Sequence, residues 1–201
     1  MMLYQRIRDL WKGTPSKEMK QLRFERLIQW RREGAVIRIQ RPTRLDRARN
    51  LGYRAKQGII LARVRVSRGG RKRRGSLKTG RRSKNATARK IVNKNYQQIA
   101  EERANRNFKN CEILNSYEVG KDGMHLFYEI ILIDRDHPQI KKDSQLSGLS
   151  ERRGKAFRGL TSSGRKSRGL RHKGVGAEKL RPSRNAHFKR KDAKQRKIDK
   201  L

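Results

Sequence analysis

With a single cysteine, Cys111, among its 201 residues, the chain has no internal disulfide and no multi-cysteine metal site. Such scarcity fits a reducing, intracellular compartment. Long apolar runs are missing too. No stretch approaches the roughly 18–20 residues that span a bilayer, and Met1 to Lys12 lacks the continuous hydrophobic segment of a secretory signal. The histidines are few and scattered. His125, His137, His172 and His187 show none of the HExxH spacing of a zinc helix, so no metal or other cofactor is expected. Nor is there a P-loop or dinucleotide signature, because Gly69, Gly70 and Gly75 lie among arginines without the strand-turn-helix context such sites need. No small-molecule substrate is indicated.

The most informative scarcity is that of acid, which is nearly absent from two long blocks. Residues 41–90 hold 19 Lys/Arg against one acid, Asp46, and residues 151–200 hold 19 against four. Between them, residues 91–140 carry six Lys/Arg and eight Asp/Glu, and the apolar residues concentrate there. The net charge of the whole chain is +38. Blocks so poor in acid repel themselves in a free protein, so a polyanion best explains them. Nucleic acid, an anionic membrane surface and an acidic protein all meet that requirement, and the lack of a spanning segment argues against the membrane. Leu, Ile, Val and Phe make up about a fifth of the chain, just above the range in which chains fail to fold alone. One modest core of roughly 100–130 residues is therefore expected, with the remainder extended or ordered on a partner.

Along the chain, Leu3, Ile7, Leu10 and Trp11 share one side of a helix that Gly13 ends. Thr14-Pro15 reads as an N-cap and first helical position. Met19, Leu22, Leu27, Ile28 and Trp30 then mark a second amphipathic helix, whose other face is arginine-rich. Both tryptophans are expected to anchor this pair to the core. Val36–Ile39 reads as a short strand that Arg41-Pro42-Thr43 breaks. A helical turn over 43–50 follows, with Arg41, Arg44, Arg47 and Arg49 along one exposed side. In 59–66, Ile60, Ala62, Val64 and Val66 form a buried face, while Leu61, Arg63 and Arg65 form a cationic one. Asn95 and Gln98 resemble a capping box ahead of a helix to about Asn107. Glu112–Val119 and Met124–Asp134 read as strands joined by a hairpin turn at Gly120-Lys121-Asp122-Gly123. Apolar residues on both faces of the second strand suggest a central position. The order fits an α+β fold with a small four-stranded, largely antiparallel sheet and packed helices.

Two cationic segments stand outside that pattern. One is an irregular basic loop over 67–90 with Arg68, Arg71, Lys72, Arg73, Arg74, Arg81 and Arg82, in which glycine lets backbone approach phosphate. A nuclear-import signal or a solvated loop has a similar composition. The other is a glycine-, serine- and base-rich stretch beyond Pro138, with Arg158, Arg165, Lys166, Arg168 and Arg171. Its small residues suit entry between RNA helices, and its hydroxyls suit donation to phosphate or ribose oxygens. The chain thus divides into an α+β body, residues 1–140, and a basic extended tail, residues 141–201. Catalytic candidates are few. Asp134-Arg135-Asp136-His137 is the best acidic constellation, and it reads as a turn with local salt bridges before Pro138. Cys111 reads as a small buried filler at a strand entrance. A DNA-packing protein, or a basic ribonuclease centred on Asp134, Asp136 and His137, would share the charge.

Over almost its whole length the chain resembles the archaeal and eukaryotic family of the fifteenth large-subunit ribosomal protein. The resemblance rests on the helix from Tyr4 to Trp11, on Arg41-Pro42-Thr43-Arg44, and on Arg47 through Gly58, which includes Arg54 and Lys56. It continues in Arg68-Gly69-Gly70-Arg71-Lys72-Arg73, Ala100-Glu101-Glu102-Arg103, Leu114-Asn115-Ser116-Tyr117, Ile131-Leu132-Ile133-Asp134 and the stretch from Arg158 to Leu170. It implies a non-enzymatic structural component of the large ribosomal subunit, cytoplasmic, in contact with large-subunit ribosomal RNA through its basic arms and with neighbouring large-subunit proteins. The compact length resembles archaeal members.

Overall fold

Alternating β-branched and aromatic residues build a four-stranded antiparallel sheet in the computed structural model, which describes residues 3–70, 92–172 and 186–192. Its strands are β1 (Val36–Ile39), β2 (Ile59–Ser67), β3 (Cys111–Lys121) and β4 (His125–Asp134), in the order β1-β2-β4-β3. Helices α1 (Leu3–Lys12) and α2 (Lys17–Arg32) precede the sheet, α3 (Leu45–Asn50) lies in the β1-β2 connection, and α4 (Tyr96–Asn107) stands between β2 and β3. After β4 come the short helices α5 (Pro138–Lys141), α6 (Ser147–Ser150) and α7 (Ser162–Ser167), and residues 186–192 are helical as well. This is the α+β arrangement expected from the sequence. The expected contacts of Arg71, Lys72, Arg73, Arg74, Arg81 and Arg82 lie outside the described residues.

Strand β4 is central, and its two faces serve two separate cores. Leu126, Tyr128, Ile130 and Leu132 pack with Ala62, Val64 and Val66 of β2 beneath Ala100 and Ala104 of α4. Phe127 and Ile131 face the other way, against Trp30, Leu61, Tyr117 and Val119. Ile133 closes one end of the sheet with Ile140 and Leu146.

The second face of β2 is covered by the end of α2 instead of being a solvated cationic surface. Leu61 is buried, and Arg63 lies over the Trp30 ring at 4.6 Å and pairs with Glu33 at 2.6 Å. Arg65 donates to the Arg31 carbonyl. The simple alternation expected for β3 fails for another reason. Register shifts occur at Ile113/Asn115 and Glu118/Gly120, and the first turns the strand so that Ile113 packs under α4 while Tyr117 packs on the opposite face. Gly120 belongs to the strand, not to the hairpin turn. A Cβ there would sit 3.2 Å from both Leu27 and Trp30, so the missing side chain is what lets α2 close on the sheet. The turn itself is held by Asp122, whose carboxylate accepts from the Met124 amide at 2.7 Å and from the His125 amide.

At the helix ends, Ser16, and not Thr14, caps α2 by accepting from the Met19 amide at 3.3 Å. Trp30 is the one buried residue of α2, and Leu22 and Phe24 are exposed, so its apolar face is narrower than the spacing suggests. Trp11 is only half-buried. Asn95 caps α4 through the Gln98 amide at 2.7 Å, but Gln98 does not reach back to complete a capping box. Its amide turns to Glu102, and the Asn95 N–H donates to Ser167 Oγ at 3.1 Å. Cys111 is buried at the start of β3 as expected. Burial, and then Asp134, push its thiol up to about 11.

A core this divided is sensitive to lost volume in β4. In urea unfolding of the full chain, Ile130→Ala is expected to cost about 2–5 kcal/mol. Met124→Ala, at a side chain 73% exposed, is expected to stay within about 0.5 kcal/mol of the parent. Equal effects would contradict the packing described.

Candidate nucleic-acid interface

Three carboxylates, Glu101, Glu112 and Glu129, are at most 1% exposed, and none is in ion-pair contact with a cation among the described residues. A buried carboxylate must be met by donors. Each of these takes donors from a segment that carries exposed cations.

Glu129, on β4, accepts from the Thr43 amide at 3.0 Å and from the Thr43 and Tyr117 hydroxyls. Burial, and then the Glu129 charge, hold the Tyr117 phenol well above its ordinary value, so it remains a donor. These bonds fasten the chain immediately before α3. Arg41, Arg47, Arg49 and Arg54 then stand exposed, and their side chains make no bond with a described residue. Arg44 does not join them along one exposed side. It is half-buried, pairs with Asp46 at 3.3 Å and lies over the Trp11 ring at 4.8 Å. Lys56 is paired with Asp143 at 2.9 Å, and that ammonium holds the Asp143 carboxyl below its ordinary value.

Glu101, on α4, accepts from Thr161 Oγ1 at 2.5 Å, from Ser163 Oγ at 2.6 Å and from Ser116 Oγ. Thr161 also caps α7 through the Gly164 amide at 3.1 Å. Glu112 accepts from the Lys155 amide at 3.2 Å. Burial pushes the Lys155 ammonium below its ordinary value, against the pull of Glu112 and Glu101. Here the expectation needs correcting. The buried hydroxyls of 158–170 bond to α4 instead of being presented to RNA, and the glycines serve a close backbone crossing within the protein. A Cβ on Gly164 would lie 2.7 Å from Gly159 Cα. Arg158, Arg165 and Lys166 remain exposed, Arg158 bonding the Arg153 carbonyl at 2.9 Å. Arg168 is half-buried and bonds the Gly159 carbonyl at 3.3 Å, and Arg171 bonds Ser162.

The base of the loop at 67–90 is also tied down. Arg68 donates to the Asp122 carbonyl at 2.7 Å. The Tyr96 hydroxyl accepts from the Gly69 amide at 3.0 Å and donates to the Gly69 carbonyl at 2.9 Å.

A further cationic site is a groove of about 610 Å³ between α1, α2, α3 and β3. Lys12, Arg23, Arg26, Arg44, Arg47 and Lys121 surround it, against one acid, Glu118, and its floor includes Leu27, Trp30 and Val119. Of these cations, Arg44 and Arg47 were expected at an interface. The others were missed, and the arginine-rich face of α2 was the signal that pointed to them.

Catalytic geometry is not assembled around the acidic constellation. Asp134 accepts from the Asp136 amide at 3.1 Å, His137 caps α5 through the Gln139 amide at 3.2 Å, and Arg135 donates to the Ser150 carbonyl at 3.0 Å. These groups form a turn. Among the described residues no three His, Cys, Asp or Glu side chains are grouped to hold a metal ion, and no helix is long and apolar enough to cross a membrane.

Known proteins align with the chain along most of its length. The family described as Ribosomal L15 matches residues 2–187. The chain is 52% identical over 190 residues to the large ribosomal subunit protein eL15 of Methanocella arvoryzae, covering 93% of this chain and 96% of that protein. It is 51% identical over 184 residues to the protein of the same name from Haloarcula marismortui, covering 90% and 93% respectively. The corresponding Methanocorpusculum labreanum protein is 49% identical over 186 residues, covering 92% and 95%.

If Glu101 clamps the 158–168 segment, Glu101→Gln is expected to weaken that docking by about 1–3 kcal/mol, because an amide NH2 then faces hydroxyl donors. In limited trypsin digestion mapped by mass, cleavage after Arg165 and Lys166 should rise about 5- to 30-fold for the first 1–2 kcal/mol lost. Unchanged cleavage there would show that the carboxylate does not hold the segment.

Proposed function

The chain belongs to the Ribosomal L15 family, and on that premise we propose that it binds folded large-subunit ribosomal RNA through cations displayed by separately anchored segments. It is a structural constituent of the large ribosomal subunit and not an enzyme. The observation that carries the RNA reading is the anchoring itself. Arg41, Arg47, Arg49 and Arg54 on one segment, and Arg165 and Lys166 on another, leave their charges without an acidic partner among the described residues, while the Thr43 amide and the Thr161 and Ser163 hydroxyls of those segments are bonded to buried carboxylates. Arginine dominates these positions. Its forked donors suit phosphate oxygens, and its flat face suits exposed bases.

In this reading the α+β body sets position and the basic segments neutralise phosphate. Arg68 and the loop through Arg71, Lys72, Arg73, Arg74, Arg81 and Arg82 form one such arm. The extension beyond residue 140 forms another, with Arg158, Arg168 and Arg171 beside Arg165 and Lys166. Neighbouring large-subunit proteins complete the surroundings. RNA is recognised mainly by shape, because phosphate contacts carry no sequence information of their own.

Each neutralised phosphate contributes roughly 0.7–0.9 to the slope of log K against log salt. Replacing Arg41, Arg49, Arg54 and Arg165 together by serine is therefore expected to lower that slope by about 3 for a folded large-subunit RNA fragment, with the melting temperature unchanged. An unchanged slope, or tighter binding to duplex DNA of equal length than to the RNA, would reject the proposal.

A further inference from the structure

We propose that the groove between α1, α2, α3 and β3 receives one unstacked nucleotide of single-stranded RNA, its phosphate among the arginines and its base on the apolar floor. The inference rests on the RNA-binding reading and adds to it a defined subsite, which shares Arg47 with the segment around α3.

Charge comes first. The guanidinium carbons of Arg23 and Arg44 lie 4.6 and 4.8 Å from the centroid of one ring, that of Trp11. Among the described residues, Asp46, paired with Arg44 at 3.3 Å, is the sole acid in contact with either group. Two guanidiniums sharing one ring concentrate positive charge that a single carboxylate does not cancel. Their hydrogen bonding is incomplete as well. Arg23 donates to the Leu10 carbonyl at 3.4 Å, and the Nε atoms of both arginines are buried without an acceptor. Arg26 and Arg47, on the same groove, make no side-chain bond to a described residue.

Shape and polarity narrow the occupant. Half-buried Leu27, with the exposed edges of Trp30 and Val119, gives the floor an apolar surface. A ligand that fits is anionic on one side and flat and apolar on the other. A nucleotide has both, whereas an aspartate or glutamate side chain would satisfy the cations and leave the floor uncovered. The volume of about 610 Å³ lies within the range of roughly 300–1,000 Å³ typical of small-ligand sites. A base inside a duplex cannot present its face to that floor, so the nucleotide must be unpaired.

The groove carries its own reporter, because Trp11 and Trp30 are the two tryptophans of the chain and both line it. The experiment titrates the full chain with an end-labelled single-stranded hexaribonucleotide, following label anisotropy for total binding and tryptophan emission for the groove. Emission is expected to change saturably along with anisotropy. In an Arg26→Ser, Arg47→Ser double variant with unaltered circular dichroism and melting, the midpoint of the emission change should move at least about tenfold to higher RNA, one decade being 1.4 kcal/mol. Anisotropy that rises with no emission change in the parent, or an unmoved midpoint in the variant, overturns the subsite and leaves the RNA reading standing. An equal emission change from uridine monophosphate, or from polyglutamate at matched charge, overturns it in favour of a free-nucleotide or acidic-peptide site. Failure of both the hexamer and a folded large-subunit RNA fragment to bind overturns the RNA reading itself.

Discussion

A carboxylate shut away from water has to be met by donors, and in this protein the donors come from far along the chain. Glu129 takes them from Thr43, 86 residues away, and Glu101 from Thr161 and Ser163, 60 and 62 residues away. Glu112 takes one from Lys155, 43 residues away. Leaving any of these acceptors unmet would cost at least about 1–3 kcal/mol. Each bond therefore pins a segment whose composition alone gives it little reason to pack. The acids sit in the near-neutral middle of the chain, and the segments they hold come from the cationic blocks on either side.

The same device sorts side chains by task. Hydroxyls and glycines of residues 158–170 turn inward, where Thr161 and Ser163 bond Glu101 and Gly164 crosses Gly159 at close range. Arg165 and Lys166 turn outward. Around α3, Thr43 turns in toward Glu129, Arg44 takes an intermediate place over Trp11, and Arg47 and Arg49 point to solvent. A cationic surface held this way loses less freedom when it meets a polyanion than a free chain of the same composition would.

Much of the fold was legible because its signals are local. The alternation in 59–66, the apolar run of β4 and the Asn95 cap each lie within a few residues, and each led to the right element. What was misread depends on partners distant in sequence. The burial of Glu101, Glu112 and Glu129 has no local signal because their donors on the cationic segments lie 43 to 86 residues away, and the bulge in β3 that sends Ile113 and Tyr117 to opposite faces leaves no mark in its alternation. The second face of β2 looked cationic because Arg63 and Arg65 dominate it, yet Trp30 and α2 cover it. The interface was legible as charge but not as geometry. Arg41, Arg47, Arg49 and Arg54 stand exposed as their composition suggests, whereas Lys56, Arg44 and Arg168 are engaged within the protein.

The central claim is that these carboxylate clamps order the cationic segments before any polyanion arrives. Native-state hydrogen exchange on the RNA-free full chain tests it most directly, through the amides of Thr43, Asn95, Lys155 and Gly164. The account predicts that they exchange within about tenfold of the β4 amides, opening with the body as one unit. Exchange at the rate of an unstructured peptide, with β4 still protected, would contradict it.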